Sequence, residues 1–163
     1  MNVQVKLETL GHFINGVAVA DTARSQPVFN PATGQVVRHV ALASKTTVEQ
    51  AIAAAEAAFP AWRDTPPLKR ARVMFRFREL LDQNADAVAA LITEEHGKVL
   101  DDALGEFLRG VEVVEYACAA PELLKGEHSK NAGPAIDSWS EFQPLGVVAG
   151  LSLIHISEPT RPY

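Results

Sequence analysis

The fold of this chain is decided by residues 91–121, which read LITEEHGKVLDDALGEFLRGVEVVEYACAAP. Apolar side chains recur there at steps of three and four residues, the spacing that stacks side chains on one face of a helix. The residues in this pattern are Leu104, Phe107, Leu108, Val111, Val114 and Cys118. The pattern predicts a helix from about Val99 to Ala119 whose apolar face packs into a core.

The opposite side of the same helix predicts a second packed surface. At about 100° per residue, one row is formed there by Gly105, Arg109, Val113 and Tyr116, with Glu106 and Glu112 beside it. A solvated face seldom combines a glycine, a valine and a tyrosine around one arginine. We therefore expect this row to pack against another element, which would make Arg109 a partly enclosed cation.

Composition indicates a globular protein without a nucleic-acid or membrane partner. A chain of 163 residues is long enough for one core and too short for two large ones. Its 15 basic and 20 acidic residues give a formal charge of -5, which argues against a surface for nucleic acid or anionic lipid. The basic residues that do cluster would spread over several faces of a helix; they are Lys69, Arg70, Arg72, Arg76 and Arg78.

The cellular compartment is predicted from three features of the sequence. The single cysteine, Cys118, cannot build a disulfide framework and suits a reducing environment. The opening residues, MNVQVKLETL, lack the basic start and apolar run of a signal peptide. No window reaches the apolar length of a membrane span. We expect a cytoplasmic protein.

Two hairpins are predicted ahead of the helices. Asn15-Gly16 divides residues 12–19 into two short extended pieces, because both residues tolerate the positive φ of a tight turn. After a polar loop at 21–26, the turn signal NPATG at 30–34 leads into a strand over 36–42. We expect a small antiparallel sheet.

Three helices are predicted between the hairpins and the long helix. The first begins at a capping box of Thr46 and Glu49 and ends at Pro60. The second opens at Pro66-Pro67 and presents an apolar side made of Leu68, Ala71, Met74, Phe75, Phe77 and Leu81. The third covers residues 87–96 and ends where Gly97 adopts a left-handed cap.

The residues after Pro121 predict a change from helix to extended structure. Residues 126–134 read as loop or turn, and 136–142 alternate as an exposed or edge strand does. Residues 144–150, PLGVVAG, form a short apolar run typical of a buried parallel strand.

Two candidates for catalytic or metal-binding residues are interpreted here as structural residues. Cys118 lies on the apolar face near a helix C-terminus, without the basic neighbour or helix N-terminus that lowers a thiol pKa, so we interpret it as a core residue. Glu94-Glu95-His96 point in different directions and lack the second histidine of a zinc site, so we interpret them as a solvated helix end. No metal site is predicted.

Arg109 is the candidate binding residue. Its guanidinium offers a planar fork of donors that grips a carboxylate at two points. The alternative is an intrahelical ion pair with Glu106 or Glu112.

The chain resembles the aldehyde dehydrogenase superfamily from Gly11 to Gly150 and, within it, the CoA-acylating methylmalonate-semialdehyde (malonate-semialdehyde) dehydrogenases. The general motifs are FINGVAV, FNPATGQVV, TTVEQAIAAAEAAFPAW, RARVMFRFRELL and ITEEHGK. The more specific ones are GEFLRGVEVVEYAC, LLKGEHS and QPLGVVAG.

The resemblance implies NAD-dependent oxidation of a carboxylated semialdehyde through a thiohemiacetal and a thioester. The thioester loses CO2 and passes its acyl group to coenzyme A, giving propionyl-CoA or acetyl-CoA in valine, pyrimidine or inositol breakdown. An arginine on this helix is implicated in holding the substrate carboxylate in the family, and by position it is Arg109. The catalytic cysteine, general base, oxyanion asparagine and nearly all NAD contacts are expected beyond residue 150, so no catalytic or cofactor-binding residue is assigned here and the 163 residues are expected to be inactive.

The resemblance also implies an α/β fold, namely a truncated N-terminal part of a cofactor-binding domain. It contains small antiparallel hairpins, four helices, an edge or oligomerisation strand and the first strand of the parallel sheet. Residues 1–150 form this partial region, with the oligomerisation segment at 129–144. The intact enzyme is expected to be a homo-oligomer, with a homotetramer as the working expectation.

Residues 151–163 depart from the family pattern. They read LSLIHISEPTRPY, which resembles the in-frame translation of a sequencing-library transposase adapter, so we expect a non-native tail. Two alternatives to the acylating enzyme stay open: a non-acylating aldehyde dehydrogenase, and a stand-alone non-catalytic interaction module.

Overall fold

The computed structural model describes residues 7–21 and 23–151. It is a mixed α/β arrangement in which short strands precede a helical layer and one further hairpin follows it. The first strands are β1 (Thr9–Leu10), β2 (His12–Ile14), β3 (Val17–Val19), β4 (Ser25–Phe29) and β5 (Val36–Ala41).

Both predicted hairpins are confirmed. β2 pairs antiparallel with β3 across Asn15 and Gly16, whose φ angles of 50° and 79° are the positive values that the turn requires. β4 pairs antiparallel with β5, but β1 adds to the other edge of β5 in parallel, so this sheet is mixed rather than antiparallel. β4 also begins at Ser25, within the stretch predicted to be loop.

The helices are α1 (Lys45–Arg63), α2 (Pro67–Gln83), α3 (Ala85–His96), α4 (Leu100–Cys118) and the short α5 (Ala120–Leu123). The four long helices were all predicted, and α4 matches its predicted bounds to one residue at each end. Pro67 occupies the first turn of α2 as expected, where its missing N–H costs nothing. α5 was not predicted, because Pro121 was read as the end of helical structure.

Both predicted ends of α1 are wrong. The N-cap is Ser44 rather than Thr46, because the Ser44 hydroxyl accepts the Thr47 N–H at 3.2 Å. Glu49 forms a 3.6 Å ion pair with Lys45 instead of closing a capping box. Pro60 lies inside the helix, which continues until the Asp64 N–H donates to the Pro60 carbonyl at 3.1 Å. A proline so near the exposed end removes a single hydrogen bond, which water can replace.

The helical core lies where α2 and α3 both contact α4. Buried core residues are Ala71, Ala89, Ala103, Phe107, Val111 and Cys118. Leu108, predicted to face the core, is 49% exposed. Ala103, which the pattern missed, is fully buried because alanines let neighbouring helices approach closely.

The predicted apolar side of α2 is only partly correct. Ala71 is buried, and Met74 and Leu81 are half-buried. Leu68, Phe75 and Phe77 are exposed, because no described element covers their side of the helix.

The last third of the chain differs most from its prediction. The stretch predicted to be loop contains β6 (His128–Gly133), which pairs antiparallel with β7 (Ile136–Trp139). β7 is exposed along its whole length, as expected for an edge strand. Residues 144–150 are not a strand and are largely exposed, because no described strand lies beside them to take up their backbone hydrogen bonds.

The expectation of a non-native tail at 151–163 concerns residues that, apart from Leu151, lie outside the described ranges. Within residues 7–21 and 23–151, no helix combines the length and apolar character needed to cross a membrane.

Candidate functional site

Arg109 lies at an open cleft of about 470 Å³ between the end of α3 and the first turns of α4. We call it the Arg109 cleft. Its walls are formed by His96, Lys98, Asp101, Asp102, Gly105, Glu106 and Arg109. The cleft therefore combines basic and acidic side chains from two helices and the short connection between them.

Local backbone chemistry places Lys98 between the two helices. Gly97 has φ +83° and its N–H donates to the Thr93 carbonyl at 2.8 Å, so it ends α3 in the left-handed cap that was predicted. Val99 is extended, with φ −66° and ψ 151°, and directs the chain into α4. Lys98 thus projects from a connection that is fixed at both ends.

The surroundings of Arg109 differ from the prediction. Arg109 is exposed, and Val113 and Tyr116 on the same row are 69% and 67% exposed. The prediction of a partly enclosed cation is therefore wrong for the chain as the structure describes it. α2 and α3 both pack on the opposite face of α4, so no described element is left to cover this row.

The alternative of an intrahelical ion pair is not observed either. Glu106 contacts Lys98, with the Lys98 Nζ and Glu106 Oε2 atoms 2.7 Å apart and both side chains mostly enclosed. Among the residues that the structure describes, no carboxylate pairs with Arg109. The guanidinium therefore keeps its donors available to a ligand.

The charges that line the cleft are mixed: the carboxylates of Asp101, Asp102 and Glu106 lie beside the cations Lys98 and Arg109. Lys98 balances Glu106, while Asp101 and Asp102 sit in the first turn of α4, where the helix dipole stabilises negative charge. Arg109 is the cation of the cleft that pairs with no described carboxylate, and its fork fits a carboxylate at two points. Within the described residues no cluster of His, Cys, Asp or Glu could hold a metal ion.

Cys118 is not part of this site. It is 8% exposed at the last residue of α4, which confirms its interpretation as a core residue. A buried thiol is inaccessible to a substrate.

A charged contact outside the cleft was missed by sequence reasoning. Glu94 and Glu95, interpreted as a solvated helix end, both contact Arg38 on β5. The Arg38 Nη1 to Glu95 Oε1 distance is 3.1 Å, and a second guanidinium nitrogen contacts Glu94. We call this group the Arg38 clamp; it holds the sheet against the last turn of α3, where Glu95 lies two residues before Gly97.

A second network fixes the start of α1. The Asp21 carboxylate accepts the Ser44 N–H at 2.9 Å and the Thr47 hydroxyl at 2.8 Å. These hydrogen bonds favour the ionised form and lower the pKa of Asp21 to about 2, the Ser44 N–H having the largest effect.

The fold and cleft define a segment of an α/β protein with a candidate carboxylate-binding arginine. The family model of the aldehyde dehydrogenase family matches residues 18–152, so the chain belongs to the aldehyde dehydrogenase family. This confirms the family resemblance drawn from the motifs.

Two proteins that the chain resembles have closely related names. The chain is 62% identical to malonate-semialdehyde dehydrogenase of Pseudomonas aeruginosa over 144 residues, which cover 88% of this chain and 29% of that protein. Methylmalonate-semialdehyde dehydrogenase from Oceanimonas doudoroffii matches in structure with a TM-score of 0.82 and 67% identity, over 85% of this chain and 28% of that one.

A third match was solved with a cofactor. A protein from Sinorhizobium meliloti 1021, assigned as a methylmalonate-semialdehyde dehydrogenase and complexed with NAD, has a TM-score of 0.82 and 46% identity, over 88% of this chain and 29% of that one. The chain thus spans less than a third of the length of these proteins.

Proposed function

We propose that this chain is part of an NAD-dependent, CoA-acylating oxidoreductase. The reaction converts malonate or methylmalonate semialdehyde to acetyl-CoA or propionyl-CoA with loss of CO2. Support comes from the similarity to semialdehyde dehydrogenases and to an NAD complex. The observation that carries the proposal is an exposed arginine, Arg109, whose donors are available in a cleft of suitable size for a short carboxylated aldehyde.

Arg109 recognises the substrate carboxylate in this proposal. A semialdehyde of this kind has a carboxylate at one end and a reactive carbonyl at the other, so holding the first end positions the second. Two parallel N–H donors of one guanidinium match the two carboxylate oxygens. Arg109 is a binding group that selects carboxylated aldehydes, and the aldehyde chemistry belongs to other residues.

The 163 residues alone are proposed to be inactive. Aldehyde oxidation through a thioester needs an accessible thiolate, and the only cysteine in the sequence, Cys118, is buried. In this proposal the chain contributes a helical scaffold and one cation, and NAD and coenzyme A bind mostly through the part of the enzyme that corresponds to the remaining length of its relatives.

The intact enzyme is proposed to be a cytoplasmic homo-oligomer that uses residues 129–144 as a contact between subunits. The β6–β7 hairpin overlaps this segment and exposes large apolar side chains, with Ile136 58% and Trp139 72% exposed. Exposed apolar groups on an edge strand favour association.

A chimeric enzyme tests the proposal. The matched segment of the Pseudomonas aeruginosa relative is replaced by the corresponding segment of this chain, and NADH and acetyl-CoA are measured with malonate semialdehyde. Arg109→Leu should raise KM for malonate semialdehyde about tenfold or more, because a hydrogen bond to a charged group contributes about 1.5–3 kcal/mol. KM for propanal, which has no carboxylate, should change less than about twofold.

The control is Arg72→Leu, which removes an exposed arginine from α2. It should leave both KM values unchanged. Equal effects of Arg109→Leu on the two aldehydes, or no effect on either, would show that Arg109 does not recognise the carboxylate.

A further inference from the structure

The Lys98–Glu106 ion pair occupies the acidic residue that would otherwise compete for Arg109. Glu106 lies three residues before Arg109 on α4, a spacing at which a glutamate and an arginine pair on a helix surface. Long helical side chains lean toward the N-terminus, which directs Arg109 back over Glu106 and Gly105. The observed partner of Glu106 is nevertheless Lys98, at 2.7 Å.

The burial of this pair explains why Lys98 prevails. The Lys98 and Glu106 side chains are 16% and 22% exposed, whereas Arg109 is exposed. An enclosed ion pair is screened less by water than one made to a solvated guanidinium, so Glu106 gains more from Lys98. Lys98 is held in position by the left-handed cap at Gly97.

The other acids near Arg109 do not replace Glu106. Asp101 and Asp102 also line the cleft, but they precede Arg109 by eight and seven residues, outside the three- and four-residue spacing at which helical pairs form. Glu112 follows Arg109 by three residues, but it does not line the Arg109 cleft. A helical pair with the acid on the N-terminal side is the more favourable orientation, and Glu112 is on the opposite side. Glu106 is therefore the relevant competitor.

We propose that Lys98 is a positioning residue that determines carboxylate specificity: by binding Glu106 it keeps Arg109 available to the ligand. The role rests on the proposed function of Arg109. Loss of Lys98 would let Glu106 pair with Arg109 and compete with an external carboxylate.

Arginine labelling tests this directly in the 163-residue chain. Phenylglyoxal reacts with the deprotonated guanidine, so a carboxylate partner slows the reaction, and peptide mass spectrometry gives the rate at Arg109 relative to Arg72. Lys98→Met should slow Arg109 labelling about twofold, the factor expected for a helical ion pair. Lys98→Arg and the double variant Lys98→Met/Glu106→Gln should both label at the wild-type rate.

Three further variants keep Lys98 in place, so the test does not depend on whether Lys98→Met folds. Glu106→Gln should leave the Arg109 rate unchanged, and Glu112→Gln is the matched control. Gly105→Glu adds an acid without a competing lysine, in a place where an added Cβ meets no atom within 4 Å, and should slow labelling about twofold.

The proposal is overturned if Lys98→Met folds and labels at the wild-type rate, if Glu106→Gln fails to rescue it, or if Glu106→Gln alone speeds the labelling of Arg109. Circular dichroism melts identify the variants that are folded. A separate arm adds malonate, which should protect Arg109 more than Arg72. Absence of protection counts against the proposed function, whereas the labelling ratios without malonate decide the role of Lys98.

Discussion

Breaking the Arg38 clamp should lower the free energy of unfolding by about 2 kcal/mol. The relevant perturbation is Arg38→Met, which keeps an apolar stem of similar length and removes the charge. The side chain of Arg38 is 18% exposed, and those of Glu94 and Glu95 are 34% and 35% exposed. These contacts are intermediate between an exposed pair, which contributes at most about 1 kcal/mol, and a protected charged hydrogen bond, at about 1.5–3 kcal/mol.

A second effect of Arg38→Met lowers the free energy of unfolding further. Without Arg38, two adjacent carboxylates remain in the last turn of α3, where the helix dipole disfavours negative charge. Urea unfolding followed by circular dichroism measures the change. Because ions can reach the clamp, added NaCl should lower the free energy of unfolding of the wild type more than that of Arg38→Met. The two free energies should therefore converge at high salt.

Matched variants separate the clamp from a general effect of losing an arginine. Arg24 is exposed and donates one 3.5 Å hydrogen bond to the Ala43 carbonyl, so Arg24→Met should cost less than about 0.5 kcal/mol. Arg38→Lys keeps the charge without the planar fork and should give an intermediate loss. A loss for Arg38→Met no larger than that for Arg24→Met would refute the clamp.

Three further changes test the core, a turn and a hydrogen-bonded network. Phe107→Ala should cost about 3–4 kcal/mol in urea unfolding because the ring is buried, whereas Leu108→Ala, on an exposed neighbour, should cost under about 1 kcal/mol. Gly97→Ala should lower the melting temperature and reduce the free energy of unfolding by about 1–2 kcal/mol, because φ at Gly97 is +83° and an added Cβ would lie 3.0 Å from the Pro31 side chain. Gly110→Ala, within α4, should stabilise the protein by contrast. Asp21→Asn should destabilise the protein above about pH 4, because the stability that comes from the lowered pKa of Asp21 is present only where its carboxyl is ionised. In acid titrations the difference in stability between wild type and variant should vanish as pH falls through about 2.

The features predicted correctly depend on residues close together in sequence. Asn15-Gly16 makes its turn from its own backbone preferences, and Gly97 ends α3 for the same reason. The bounds of α4 follow from a periodicity contained within the helix. Such local signals do not depend on which other elements pack against the helix or turn.

The features missed depend on partners far away in sequence. Ser44 was not recognised as the cap of α1, because it is fixed partly by Asp21, 23 residues earlier. Glu94 and Glu95 were read as solvated, because Arg38 lies 56 and 57 residues away. No local pattern distinguishes an acidic pair in water from one that grips an arginine.

In the candidate site too, the features local to α4 were predicted, and those that depend on residues outside α4 were not. Helical spacing identified Arg109 and named Glu106 or Glu112 as its alternative ion-pair partner, because all three residues lie on α4. It could not show that Lys98, eight residues from Glu106 and across a helix boundary, takes the acid away. Enclosure of Arg109 was predicted wrongly because burial depends on which elements pack nearby, and α2 and α3 lie on the other face of α4.

The residues on the two faces of α4 are therefore constrained by different physical requirements. On the core face, Ala103 and Phe107 are fixed by volume, since a close-packed interior leaves little freedom of size. On the cleft face, space and charge balance matter more: an added Cβ at Gly105 would meet nothing within 4 Å, and Glu106 is already neutralised. A guanidinium can act as a carboxylate receptor only if no intramolecular carboxylate reaches it first, because an internal partner on the same helix requires no association entropy. In the proposed site, Arg109 supplies the hydrogen bonds to the carboxylate, and Lys98 supports it by binding the neighbouring acid.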